Sequence, residues 1–342
     1  MAALSNLFRP RDRSEDPPPV LYRLVQRGEI EPALRLILGG PRGAAGDEQV
    51  LDFLTFALAR KIEVAQIWVA LRDGRIQWAL LPVASPGKTT LLFSPARLPR
   101  RPDRGIVVEL NEHVAALQRA QGVDLLQLLL DPADRELIEL YTHCGYETLA
   151  ELAYLQADVR GSEALPTLPA QWSMAHYGPE THAAFAEAIA RSYEGSQDCP
   201  SLNGKRHIDD VIAGHQASGD FDPGLWFLLR DENGRSLGTL LLSRSAGNGQ
   251  VELVYIGLAP EARGRGLGDL LIRWSLAVVG LENRRHLSLA VDARNAPALR
   301  LYYRHGFSRV GSRIAMIRDL RTVPPLVHAL VQARFEPANQ SA

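Results

Sequence analysis

The run Arg263-Gly264-Arg265-Gly266-Leu267-Gly268 stands between an apolar, β-branched stretch, Val251 to Leu258, and a set of apolar residues at helical spacing: Leu267, Leu270, Leu271, Trp274, Ala277 and Val278. Strand, glycine loop and helix in that order make an anion site. Glycines let backbone N–H groups come close to an anion, and a helix N-terminus adds roughly half a positive charge, so a pyrophosphate fits there. Arg263 and Arg265 reinforce that field. Two other readings of the loop stay open. A plain turn with helix capping uses the same residue types, and a dinucleotide fingerprint would use similar glycines. That fingerprint runs G-x-G-x-x-G, whereas these glycines run G-x-G-x-G, with Asp292 near the position of its acidic residue. Gly87-Lys88-Thr89 is not a phosphate loop of the Walker type, because Pro82 stands where the first glycine must be. The nine histidines show no ligand spacing such as H-E-x-x-H, and no metal is expected.

The elements that must hold this loop occur twice. Trp68-Val69-Ala70-Leu71-Arg72-Asp73 resembles Trp226-Phe227-Leu228-Leu229-Arg230-Asp231, and Leu140-Tyr141-Thr142-His143-Cys144-Gly145-Tyr146 resembles Leu301-Tyr302-Tyr303-Arg304-His305-Gly306-Phe307. The order is the same, and the separation drifts only from 158 to 161 residues. Two copies of one α/β (α+β) fold are therefore expected, each a mixed twisted sheet flanked by helices. Residues 158–170, with Gly161, Pro166 and Pro169, read as the linker. The expected division is a flexible tail at 1–19, a first domain at 20–157, a second at 171–322 and a C-terminal tail at 323–342. Each copy reads as helices first, then a hairpin, a helix, a strand, a helix and closing strands.

After the glycine loop and its helix come a strand, His286 to Val291, and then Asn295-Ala296-Pro297-Ala298-Leu299-Arg300-Leu301-Tyr302-Tyr303-Arg304-His305-Gly306-Phe307. Arg-x-x-Gly-x-Gly after a strand, followed by Asn-x-x-Ala-x-x-Leu-Tyr-x-x-x-Gly-Phe, resembles the GNAT superfamily of acyl-CoA-dependent N-acyltransferases over residues 171–322. The resemblance implies acetyl-CoA as co-substrate. It implies that the loop Arg263, Gly264, Arg265, Gly266, Leu267 and Gly268 binds the pyrophosphate of coenzyme A. It further implies that Ile256, Gly257 and Leu258 lie on a strand that splays from its neighbour to accept the pantetheine arm, with Asn295 close by. Tyr302 matches the residue that protonates the departing thiolate, and Glu252, eleven residues before Arg263, has the spacing of a general-base glutamate.

The chemistry of amide formation asks for the same groups. An ammonium must lose a proton before it attacks a thioester, the tetrahedral intermediate needs an N–H donor, and the thiolate needs an acid. Glu252 is equally readable as a salt-bridged strand residue. Tyr302 can be a packing residue, with Tyr303 as the alternative donor, and Asn295 is also a helix N-cap before Pro297. The expected function is acetyl transfer to a primary amine by direct attack. An acyl-CoA-binding sensor or an interaction scaffold, without turnover, is the rival reading.

Aligned on its Leu-Tyr segment, the first copy carries Pro102 to Val107 opposite the glycine loop, Leu91 opposite Glu252 and Asp134 opposite Asn295. It is expected to be a degenerate copy that shapes or covers the acceptor site. The resemblance puts the acceptor pocket at the first two helices of the second copy and their connection, Tyr193 to Pro200 and on to Asp209-Asp210. Its acidic residues suit a cationic amine and equally suit helix caps on a solvated loop. The whole chain has 342 residues, 38 Lys and Arg against 39 Asp and Glu, and 46% hydrophobic residues. That balance gives no global pull toward nucleic acid or an anionic membrane, so neither partner is expected, and the acceptor is a small-molecule or peptide amine. Cys144 and Cys199 are too few for a disulfide framework and suit a reducing compartment, so a cytoplasmic protein is expected.

Overall fold

The computed structural model describes residues 18–40, 43–98, 103–159, 164–245 and 249–322. Nearly all of the expected N-terminal tail, the whole C-terminal tail, residues 160–163 of the linker and Pro102 lie outside the described residues. The first half contains β1 (Leu21–Leu24), α1 (Ile30–Ile37), α2 (Asp47–Ala59), β2 (Trp68–Arg72), β3 (Arg75–Ser85), β4 (Thr89–Phe93), α3 (Arg104–Ala120), β5 (Leu125–Leu130), α4 (Arg135–His143) and β6 (Glu147–Asp158). The second repeats that order: β7 (Trp172–His176), α5 (His182–Ser192), α6 (Ile208–Gln216), β8 (Trp226–Asp231), β9 (Ser236–Arg244), β10 (Gln250–Leu258), α7 (Leu267–Leu281), β11 (His286–Asp292), α8 (Ala296–Arg304) and β12 (Ser308–Asp319). Each half thus opens with a strand and not, as expected, with helices. β1 and β7 have only four and five residues, too few for alternation to show.

The sheet is mixed. β4 with β5 and β10 with β11 are its parallel pairs, and the other neighbours run antiparallel. The strand order is β1-β2-β3-β4-β5-β12-β6-β11-β10-β9-β8-β7, so the closing strands are exchanged. β6 of the first half pairs with β11 from Asp158↔His286 to Leu152↔Asp292, and β12 of the second pairs with β5 from Asp319↔Leu125 to Ile314↔Leu130. Each half thereby covers the sheet edge the other would leave open.

The cores follow the same exchange. Met316 and Leu320, from the end of the chain, are buried with Leu110, Val114 and Tyr141 of the first half, while Ala153, Leu155 and Ala157 of β6 are buried with Leu271 and Ile272 of α7. A fully buried Leu or Met contributes about 1.5–3 kcal/mol, so these strands anchor the halves to one another. The residues that set the helical period of α7, Leu267, Leu270, Leu271, Trp274, Ala277 and Val278, are all buried. That seats the helix on the sheet with its N-terminus at the end of β10.

Candidate active site

β10 and β11 are hydrogen-bonded partners only from Gln250↔His286 to Glu252↔Ser288. Beyond that rung β10 continues to Leu258 along β9 alone, with a bulge between Leu253 and Tyr255. A strand that leaves its neighbour frees the N–H and C=O groups on that edge for a ligand. The gap is the mouth of a cavity of about 580 Å³, the size of a small-molecule site, lined among others by Ile256, Gly257, Leu258, Asn295 and Tyr302.

The glycine loop closes one end of this cavity. Gly264 and Gly266 have φ of +72° and +77°, backbone that a side chain would strain, and Gly266 is the N-cap of α7 with no side chain bonded to the helix end. The first-turn N–H groups of α7 therefore keep their capacity to bind an anion. At Gly268 a Cβ would lie 3.1 Å from Leu301 Cδ2, a tight contact between α7 and α8. Gly264, Gly266, Leu267 and Gly268 all line the cavity.

Opposite them, Asn295 Oδ1 accepts the Ala298 N–H at 3.3 Å and starts α8, which carries Tyr302 into the cavity wall. The Tyr302 ring is 4% exposed and rests 5.6 Å from Phe307, while Tyr303 is 48% exposed. Only Tyr302 of the two lines the cavity. Burial, with the nearby Asp198 carboxylate, raises its phenol far above the usual range, so it stays protonated at neutral pH.

Residues 188–307 match the Acetyltransferase (GNAT) family. That part of the chain is a GNAT domain. Mycothiol acetyltransferase of Clavibacter michiganensis subsp. michiganensis is 29% identical over 223 residues, which cover 62% of this chain and 72% of the relative. The mycothiol acetyltransferase of Amycolatopsis mediterranei is 28% identical over 59% of this chain and 72% of the relative. Among solved structures, a GCN5-related N-acetyltransferase from Sphaerobacter thermophilus aligns with TM-score 0.59 and 17% identity over 88% of this chain and 96% of that one. A tandem GNAT protein from the clavulanic acid biosynthesis pathway aligns with TM-score 0.50 and 17% identity over 88% and 98%. The protein is an acetyltransferase, and acetyl-CoA is the co-substrate of GNAT acetyltransferases.

Three residues of the GNAT motif stand apart from the expected picture. Arg263 is not a free cation at the loop: its guanidinium donates to the carbonyls of Leu258 (3.2 Å), Glu194 (2.7 Å) and Ser192 (2.9 Å), latching the end of β10 to the end of α5. Arg265 lies outside the cavity lining and sits 5.9 Å from the Trp172 ring. Glu252 also lies outside the lining, on the last rung before β10 and β11 part, half-buried on β10. Burial raises its pKa, and Arg60, from the end of α2 in the first half, is close enough to oppose that rise.

Other wall residues carried no motif signal. Tyr255 and Ser192 join their hydroxyls at 2.5 Å, Arg304 pairs with Asp269 at 3.1 Å, and Asp198 reaches in from the loop after α5. Tyr255, Arg304 and Asp198 lie in segments marked by the sequence, the strand before the glycine loop, the Leu-Tyr segment and the acidic loop, but none was singled out there. In the first half the equivalent helix end is filled: Asp103 accepts the Gly105 N–H at 3.1 Å and pairs with Arg72 at 2.8 Å. Leu91 occupies the last β4–β5 rung, where β10 has Glu252. Among the described residues no group of three His, Cys, Asp or Glu is placed to hold a metal, and no helix is long and apolar enough to cross a membrane.

Proposed function

We propose that the protein transfers the acetyl group of acetyl-CoA to the primary amine of a small-molecule acceptor by direct attack, through residues 171–322. The observation that carries this reading is the three-rung pairing of β10 with β11, which opens onto a cavity bordered by an uncapped helix N-terminus and by Tyr302. In this reading the backbone N–H groups from Gly264 to Gly268 take the pyrophosphate, the free edge of Ile256 to Leu258 takes the pantetheine, and Asn295 borders it. Arg263 serves by holding that edge in place, and Arg265 adds charge from outside the cavity.

Glu252 accepts a proton from the acceptor amine through water, its raised pKa bringing it toward the working range of a base at neutral pH. An N–H of the free strand edge stabilises the oxyanion. The C–N bond forms, the C–S bond breaks, and the Tyr302 hydroxyl gives its proton to the thiolate. No covalent intermediate on the protein is needed, and Cys199, its thiol pushed up to about 12 by burial, is a poor nucleophile. The curated relatives are named for mycothiol, which favours a small-molecule acceptor.

We assign residues 20–157 a covering role on the acceptor side. Lys88 pairs with Asp210 at 3.4 Å, Arg206 donates to the Gly87 carbonyl at 3.4 Å, and Arg60 acts on Glu252, so the first half abuts α6 and the base. The test is thiol release from acetyl-CoA with a panel of primary amines. Release that depends on the amine is expected. Binding of acetyl-CoA with no thiol release under any amine would instead favour a ligand sensor.

A further inference from the structure

Within the cavity wall the carboxylates are Asp198 and Asp269. Asp269 is committed: it pairs with Arg304 at 3.1 Å and His305 at 2.9 Å. Asp292, just behind the wall, is fully buried and bound to Arg294 at 2.9 Å. Asp198 makes no ion pair among the described residues. It is open to the cavity and nonetheless hemmed in by protein.

The chain holds this carboxylate with some effort. Asp198 Oδ1 accepts the Asp292 N–H at the end of β11 at 3.1 Å, and its own N–H donates to Ser196 Oγ at 3.1 Å. The next residue, Cys199, has φ of +43°, a left-handed backbone that costs a non-glycine residue about 1 kcal/mol or more. Around it stand Tyr193 on the same loop, Tyr255 on β10, Asn295 at the start of α8 and Tyr302 on α8, all of them wall residues. Burial raises the Asp198 pKa, with Asp292 adding to the rise and the Asp292 N–H and Asn295 side chain opposing it. Its charge in turn raises the phenol of Tyr302. A lone carboxylate that shares a cavity with the proposed proton donor is placed to receive a cation, and the reactant that arrives there as a cation is the protonated amine.

We infer that Asp198 is the docking group for the acceptor's ammonium, selecting protonated primary amines and setting the nitrogen opposite Tyr302. This inference rests on the acetyl-transfer reading and deepens it. Glu252 keeps the proton-accepting step, and Asp198 supplies affinity and orientation. The ammonium binds Asp198, loses one proton to Glu252 through water, and attacks the thioester carbonyl as the neutral amine. As the C–S bond breaks, Tyr302 gives its proton to the thiolate and recovers one from the new amide nitrogen. The net release is one proton, from Glu252 to solvent.

The test compares two small acceptors: 2-methoxyethylamine, which is protonated at neutral pH, and methoxyamine, which is not. Asp198→Asn keeps an oxygen for the Asp292 N–H and removes the charge; Asp198→Ser does the same if the first variant does not fold. Loss of a charged hydrogen-bond partner is expected to raise the KM for 2-methoxyethylamine about tenfold or more. The KM for methoxyamine and the affinity for acetyl-CoA are expected to hold. An unchanged KM for 2-methoxyethylamine, or an equal loss with both amines, overturns the assignment while acetyl transfer stands. A wild-type protein that binds acetyl-CoA and releases no thiol with either amine overturns the underlying reading and this one with it.

Discussion

The helix that begins at Arg104 and the helix that begins at Leu267 hold matching places in the two halves, each following a strand that parts from its parallel neighbour after three rungs. At the first, Asp103 turns back onto the Gly105 N–H and is itself neutralised by Arg72. At the second, Gly266 offers no side chain and the helix end stays bare. One carboxylate at an N-cap thus separates a helix that satisfies itself from a helix that can bind an anion. The base position tells the same story, with Leu91 on the rung where the second half has Glu252. The fold is duplicated, and in our proposal the chemistry belongs to one copy.

The largest effect is expected from separating the copies. A fragment of residues 171–342 lacks β6, and with it every rung from Leu152 to Asp158 that covers β11 and the buried Ala153, Leu155 and Ala157. We expect no cooperative thermal transition from it by circular dichroism. A soluble, cooperatively folding fragment that binds CoA would show that the halves are independent.

Next comes Gly268→Val. The added side chain crowds Leu301 and sets a branched side chain beside the amides of the glycine loop. CoA affinity, measured by calorimetry, is expected to fall at least about 100-fold, or roughly 2.7 kcal/mol, with unfolding still cooperative. Undiminished affinity counts against the loop as the pyrophosphate site.

Glu252→Gln sharpens the difference at the base position. General-base catalysis is worth about 10² to 10⁴, so kcat is expected to drop within that range. The wild-type rate should fall as pH drops through the raised Glu252 pKa, and the variant should lose that acid limb. Stability should move the other way. A carboxyl group whose folded pKa exceeds its unfolded one stabilises the fold when protonated, and that contribution is lost as pH rises through the folded pKa. The uncharged glutamine escapes that loss, so the variant is expected to melt higher than wild type at neutral pH. An unchanged pH profile reduces Glu252 to a structural residue. The smallest effect belongs to Asp103→Ala: about 1 kcal/mol of stability lost with the N-cap, seen as a lower Tm, and an unchanged KM for acetyl-CoA.

Much of this was legible in the sequence because the signals are local. Gly266 needs its left-handed backbone whatever surrounds it, and Asn295 caps its own helix, whereas the choice between Tyr302 and Tyr303, open in the sequence, is made by the packing that buries Tyr302. What stayed hidden depends on partners far along the chain. β6 and β12 read clearly as strands, but alternation specifies a face and not a neighbour, so their exchange leaves no trace. Arg263 beside a glycine loop looks like a phosphate ligand. Its carbonyl partners at Ser192 and Glu194 come from an element some 70 residues earlier, and only the packing of α5 against β10 brings them within reach. Asp198 stands in an acidic loop among other acids, and nothing in its sequence neighbourhood separates it from Asp209 or Asp210. The difference is made by the Asp292 N–H that holds it at the cavity.

The most direct measurement of the asymmetry between the halves is a crystal structure of the full chain with CoA bound. The account predicts one CoA, its pyrophosphate within hydrogen-bonding distance of the N–H groups from Gly264 to Gly268 and its pantetheine lying between β10 and β11. CoA at the start of α3, or at a site away from both helix ends, would contradict it.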